Sequence, residues 1–136
     1  MLIINAFKIA KENYDKKGFE HALRVAYYAI ENPLAEEKSK DRIFALALMH
    51  DILEDTDFNI VKMKGGDTDF YVNLMILTKG EDEEYLNYIK KIKNYASKFP
   101  EAYIVKLADM RDHLSQVATL TDKLRDKYLE ALPFLL

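Results

Sequence analysis

Apolar residues recur at spacings of three and four along almost the whole chain, and no run of strand-like alternation persists. That periodicity belongs to helices packed by one face, so the expected fold class is all-α. Four glycines and three prolines are the strongest interruptions in 136 residues, and they place the helix ends. A first helix is expected near residues 3–14, with Gly18 in the turn that follows, and a second near 19–30 with Leu23, Ala26, Tyr27 and Ile30 on its apolar face. Asn32 precedes Pro33, which disfavours helix there. The acidic pair Glu36 and Glu37 suits the first turn of a third helix running over about 36–53. Asp57 is placed to cap a short helix toward Met63, and Asp67 or Thr68 opens the next after the breaker "KGGDTDF". "TKGEDEE" separates that one from a helix over about 84–98. Pro100 opens another that runs to about residue 120, and Thr121 begins the last, with Leu124 and Tyr128 sharing a face.

The length fits one domain over residues 1–136, and no linker or repeat divides it. Cysteine is absent, so disulfides and thiolate metal sites are excluded, and any metal must be held by nitrogen and oxygen. No basic leader precedes a long apolar run, and no segment approaches about 18 consecutive apolar residues. A cytoplasmic protein with no membrane partner is expected. With 20 basic and 23 acidic residues the net charge is −3, which argues against a nucleic-acid footprint. An anionic phosphate ester would therefore have to be met locally, by a metal or a few chosen lysines and arginines. The basic stretch "NYIKKIKNYASK" reads as a core helix with a solvated lysine face. Nine tyrosines and seven phenylalanines are compatible with a homo-oligomer interface.

The densest chemistry lies in "ALALMHDILEDT", where an apolar helical run ends in His50, Asp51, Glu54 and Asp55. On a helix, His50 and Glu54 are four apart, and Asp51 reaches Glu54 at three and Asp55 at four. Carboxylates crowded at a helix C-terminus face the negative end of its dipole and repel one another, an arrangement that calls for a cation. Taken alone, the cluster also fits a solvated face with His50 packed on the core. Two further polar clusters weigh against that. "HALRVA" carries His21, and "VKLADMRDHL" carries Asp109, Asp112 and His113 at spacings of three and four. All three histidines of the chain thus sit beside apolar helical runs, as ligands projecting into a bundle do.

His21, then His50-Asp51, then Asp109 resembles the H…HD…D signature of HD-domain metal-dependent phosphohydrolases, over His21 to about Leu114. The fuller pattern "HDILEDT", "LTK" and "KLAD" is similar to the hydrolase domain of RelA/SpoT-type (p)ppGpp enzymes and their small stand-alone relatives. The resemblance implies an HD-domain helical bundle in which His21, His50, Asp51 and Asp109 bind one divalent ion, commonly manganese. It also implies catalytic roles for Glu54 and Asp55, which would orient a water or accept its proton. Imidazole and carboxylate together suit a borderline first-row cation, and a carboxylate near a metal-bound water is a plausible base.

Phosphate contacts are expected from the nearest basic groups, Lys16, Lys17, Arg24, Lys106 and Arg111. His113 and Asp112 line the pocket or hold a ligand in place, and Tyr27 and Tyr28 are available for stacking on a base. The RelA/SpoT-like group usually carries an Arg-Lys pair well ahead of the first His, where this chain reads "AKENYDKKG". It also tends to carry Asn four residues after the last metal-binding Asp, where this chain has His113. The implied substrate is a nucleotide or another phosphorylated small molecule, with a (p)ppGpp-like 3′-pyrophosphate foremost. A nucleoside 5′-monophosphate phosphatase, a cyclic-nucleotide phosphodiesterase and a non-catalytic sensor or partner-binding module are the alternatives.

Overall fold

Helices form where apolar spacing and capping residues coincide. The computed structural model describes residues 2–136, and among these the chain forms eight α-helices, two short 3-10 turns and no strand. In chain order they are α1 (Leu2–Asn13), α2 (Lys16–Glu31), α3 (Lys40–Met49), α4 (Ile52–Asp55), α5 (Thr68–Leu77), α6 (Tyr85–Tyr95), α7 (Pro100–Ser115) and α8 (Asp122–Leu135). None is long and apolar enough to cross a membrane. Asp67 and Thr121 cap α5 and α8 through side-chain bonds from the amides of Phe70 and Leu124. Pro100 sits in the first turn of α7. The amide of Ala102 there is taken by the buried Asn73 side chain at 2.9 Å, so a neighbouring helix does the work of a cap.

Four boundaries differ from the sequence expectation, each for a local reason. α7 ends at Ser115 rather than near residue 120, because Gln116 leaves helical geometry at φ −87° and ψ 77° and residues 117–119 form a turn. Asp15 accepts the Gly18 amide at 2.7 Å, so α2 starts at Lys16 and Gly18 lies inside its first turn. The short segment after α4 is a 3-10 turn, Ile60–Lys62, capped by Asn59 rather than Asp57, with the Asn59 side chain on the Val61 amide. The helix expected over 36–53 is broken: a 3-10 turn at Glu37–Ser39 precedes α3, which ends at Met49, and α4 resumes at Ile52. Between them Asp51 has φ −104° and ψ 2°, the sparsely populated bridge region. Its amide bonds to the Tyr14 hydroxyl at 3.2 Å instead of to the helix.

α3 is the axis of the bundle, packing against α1, α2, α5 and α7. Ala45 through Met49 are all fully buried, which is why "ALALM" is apolar on every side. Small residues set the spacing: Ala22, Ala26 and Ala29 of α2 and Ala45 and Ala47 of α3 are fully buried where the two helices meet. Leu46, Leu48 and Ile52 fill the remaining space, each stabilising the fold by about 1.5–3 kcal/mol. Gly65 adopts φ +90° in the turn before α5, a conformation that needs glycine. α6 packs on α7 and α8 and closes the other side. α7 is unusual in burying four charged residues, Glu101, Lys106, Asp109 and Asp112, and a fold can hold such groups only when each is paired.

Candidate metal centre

The end of α3 carries His50 into the bundle, the break after it turns Asp51 inward, α2 brings His21 and the middle of α7 brings Asp109. Each offers one ligand atom, and the four atoms lie within 4.8 Å of one another. His21 Nε2 is 2.9 Å from Asp109 Oδ1 and 3.7 Å from Asp51 Oδ2. His50 Nε2 is 3.1 Å from Asp51 Oδ2 and 3.2 Å from Asp109 Oδ1.

The far side of each imidazole fixes what its Nε2 presents. His50 Nδ1 donates to the Ala47 carbonyl at 2.6 Å, and a carbonyl can only accept, so that nitrogen holds the proton. His21 Nδ1 likewise donates to Asp112 Oδ2 at 2.6 Å. Both neutral rings therefore turn an Nε2 lone pair toward carboxylate oxygens. Lone pairs this close repel unless a positive charge lies among them. Protons can supply it: although burial opposes charge on both rings, the neighbouring Asp109, Asp112 and Asp51 carboxylates raise the pKa of His21, and that of His50 well above its ordinary value. A divalent cation meets the same demand with one charge centre, and two imidazoles with two carboxylates are the donor set a first-row cation takes. The residues fit such an ion.

Three of the four are held by a partner behind the facing atom, His50 by the Ala47 carbonyl, His21 by Asp112 and Asp109 by Lys106, the pattern that orients metal ligands in general. Asp112, itself only 1% exposed, takes Arg24 Nε on Oδ1 at 2.7 Å and Arg24 Nη2 on Oδ2 at 3.1 Å. Burial raises its pKa, but Arg24 and His21 outweigh that and hold it below the usual carboxylate range. Asp109 turns Oδ1 to the histidines and gives Oδ2 to Lys106 Nζ at 2.7 Å. Lys106 is buried beneath the rings of Tyr85 and Tyr88, 5.6 and 5.1 Å from their centroids. Against the cost of burial, that ammonium and the three histidines drive the Asp109 pKa well down.

Glu54 and Asp55 flank the cluster from α4. Glu54 Oε1 accepts the Lys79 amide at 2.5 Å, so the "LTK" segment after α5 steadies it. Partial burial raises the pKa of both, with the Asp51 charge as a further cause. They are the more basic carboxylates of the site.

The basic residues singled out in the sequence divide. Lys17 lines a cavity of about 280 Å³ with Glu20, His21, Arg24, Asp112 and His113, while Lys16 is exposed in the first turn of α2. Arg24 and Lys106 are engaged by Asp112 and Asp109, not free for a phosphate. Arg111 is not brought to the cluster: its guanidinium lies over the Tyr28 ring at 4.0 Å, beside a separate cavity with Glu31. Tyr27 packs edge-on to Phe44 at the surface, so neither tyrosine stands at the site. His113 does: its Nε2 is 3.1 Å from Asp109 Oδ1, and its ring stacks on Tyr128 with centroids 4.9 Å apart.

Sequence reasoning missed Tyr14, which holds Asp51, and no local signal marks it, since its partner is 37 residues away. The Lys106–Asp109 pair was legible in its spacing of three, but the burial that makes it structural was not. The family model for the HD domain matches residues 18–125, more than half of the chain. No curated protein matches it.

Proposed function

The chain belongs to the HD-domain family, and we propose that it is a metal-dependent phosphohydrolase acting on a nucleotide, with a (p)ppGpp-like 3′-pyrophosphate ester as the leading substrate. The observation that carries this reading is the convergence of His21, His50, Asp51 and Asp109 with both imidazoles turned the right way to ligate. When bound there, a divalent cation, for which we favour manganese, supplies positive charge to a phosphoryl oxygen and makes water more acidic.

The protein's own groups do the rest. Glu54 Oε1 is occupied by the Lys79 amide, which leaves Oε2 to accept a proton from the attacking water. Its raised pKa makes it the better base near neutral pH. Asp55, also raised, stands beside it to orient the water. His113, bonded to Asp109 and stacked on Tyr128, forms a wall of the pocket. Lys17 on the rim of the α2 cavity is positioned for an anionic group of substrate. A chain without cysteine, with none of its described helices able to cross a membrane, suits a cytoplasmic enzyme.

The test is metal analysis of protein purified without chelator, followed by a nucleotide panel with and without added manganese and identification of the products. Release of pyrophosphate from a 3′-diphosphate supports the leading substrate. Release of phosphate from 5′-monophosphates, or ring opening of cyclic nucleotides, replaces it within the same class. Bound metal with no turnover on any phosphate ester refutes the enzyme and leaves a non-catalytic module.

A further inference from the structure

The seam between α2 and α7 holds a cavity of about 260 Å³ that shares no lining residue with the one beside the metal centre. α2 supplies Tyr28 and Glu31 to it, and α7 supplies Ile104, Leu107, Ala108 and Arg111. Those four positions of α7 recur at spacings of three and four, so they share one face of the helix. Asp109 and Asp112 project from the neighbouring side, toward His21.

The cavity is small and chemically divided. Its floor is apolar, with Ile104 and Ala108 only 2% and 5% exposed. Its rim is charged at two points. The Arg111 guanidinium lies 4.0 Å from the centre of the Tyr28 ring, a stack that fixes the plane of the group. Glu31 faces it, with Oε2 3.7 Å from Arg111 Nη1, too long for a hydrogen bond. The N–H donors of Arg111 and the carboxylate oxygens of Glu31 are therefore open to a ligand seated between them.

Two features sort that rim by sign. The last turn of α2 carries no basic residue, so the negative end of the helix dipole adds to the Glu31 carboxylate and favours a cation there. Arg111, held flat on Tyr28, presents the planar fork that suits a carboxylate. A ligand of one charge would satisfy one half of the rim and be repelled by the other. An α-amino acid satisfies both, with its carboxylate on Arg111 and its ammonium on Glu31. An apolar side chain then covers Ile104, Leu107 and Ala108. The volume points the same way, because it falls below the roughly 300–1,000 Å³ of sites for drug-sized molecules.

We propose that this cavity is a binding site for a small zwitterion, an α-amino acid with an apolar side chain. The site goes beyond the hydrolase reading and does not depend on it, since the two cavities are lined by different residues.

The experiment is a nuclear magnetic resonance titration of the isotope-labelled full-length protein, with chelator present so that no metal-bound centre takes up the probe. The probes are leucine, 4-methylpentanoate, which is leucine without its ammonium, and 3-methylbutylamine, which is leucine without its carboxylate. Leucine is expected to bind with a Kd on the order of 1 mM, within reach of a ligand of its size, and to shift amides in the last turn of α2 and around Arg111. Each truncated probe should bind at least about fivefold more weakly, having lost one charge-assisted contact. Arg111→Gln should weaken leucine by about tenfold, and Arg111→Lys, which keeps the charge and loses the fork, by less. Glu31→Gln should weaken leucine by roughly fivefold and leave 4-methylpentanoate unchanged or tighter, because the repelling charge is gone. Both side chains are more than half exposed, and melting curves check that the variants fold as wild type does. Absence of leucine shifts at about 20-fold above that Kd, shifts centred on His21 and His50 instead, or wild-type leucine affinity in a folded Arg111→Gln protein overturns the site. Affinity for 4-methylpentanoate equal to that for leucine overturns the zwitterion as its ligand.

Discussion

Replacing Asp112 by Asn should strip the centre of most of its metal affinity without touching a ligand. Asp112 is the residue through which Arg24 sets the tautomer of His21: Oδ2 takes the His21 Nδ1 proton at 2.6 Å while Oδ1 takes Arg24 Nε at 2.7 Å. Both neighbours donate, so the buried group between them must accept on both sides. An amide cannot. If its oxygen faces His21, its NH₂ opposes the Arg24 Nε–H. Turned over, its NH₂ donates to His21 Nδ1 and moves the ring proton to Nε2, the atom required for the metal. Loss of such an orienting partner weakens metal binding by about 10- to 100-fold, or roughly 1.4–2.7 kcal/mol. The assay is competition for manganese against a chelator of known affinity, with circular dichroism as a check that the helices remain. Arg24→Gln keeps the Asp112–His21 bond and should lose less than Asp112→Asn. Affinity within twofold of wild type in a folded Asp112→Asn protein would refute the claim that the tautomer of His21 is set from behind.

Glu54→Gln should leave manganese bound and slow turnover by about 10² to 10⁴, read from steady-state kinetics at saturating metal. Tyr14→Phe leaves the Asp51 amide without its partner and should cost about 1–3 kcal/mol in urea unfolding, with a smaller cost once metal fixes Asp51. Lys106→Met, which leaves Asp109 buried without its cation, should destabilise the metal-free protein by about 3–5 kcal/mol, and added manganese should recover part of the loss in a thermal melt. In the chelator-treated protein, His21 and His50 have pKa values raised above 6.5, so their contribution to stability is complete below that pH and is lost as pH rises through the folded values. Metal binding, which competes with those protons, should strengthen over the same rise. Melting temperatures across pH with and without manganese check both trends.

The α-helical class was readable because apolar spacing is local, and so were the caps at Asp67 and Thr121, whose partners lie within a turn, and the start of α7 at Pro100. That His21, His50, Asp51 and Asp109 come together was readable because the resemblance rests on residue types in order. What escaped depends on distant chain. The break at Asp51 is supported by a hydroxyl from α1, and nothing in "MHDILED" announces it. Lys106 and Arg24 looked like phosphate contacts because a lysine or arginine near a metal motif reads as free charge. Only the packing of α6 against α7, and of α2 against α7, shows them bound to Asp109 and Asp112.

Equilibrium binding of manganese to chelator-stripped protein, followed by electron paramagnetic resonance of the free ion, tests the centre itself. One tightly bound ion per chain in the wild type, and its loss in Asp51→Asn with the helices intact, is the predicted result. A wild-type protein that binds no ion, or an Asp51→Asn protein that binds it as well as wild type, would contradict the assignment of His21, His50, Asp51 and Asp109 as one metal site.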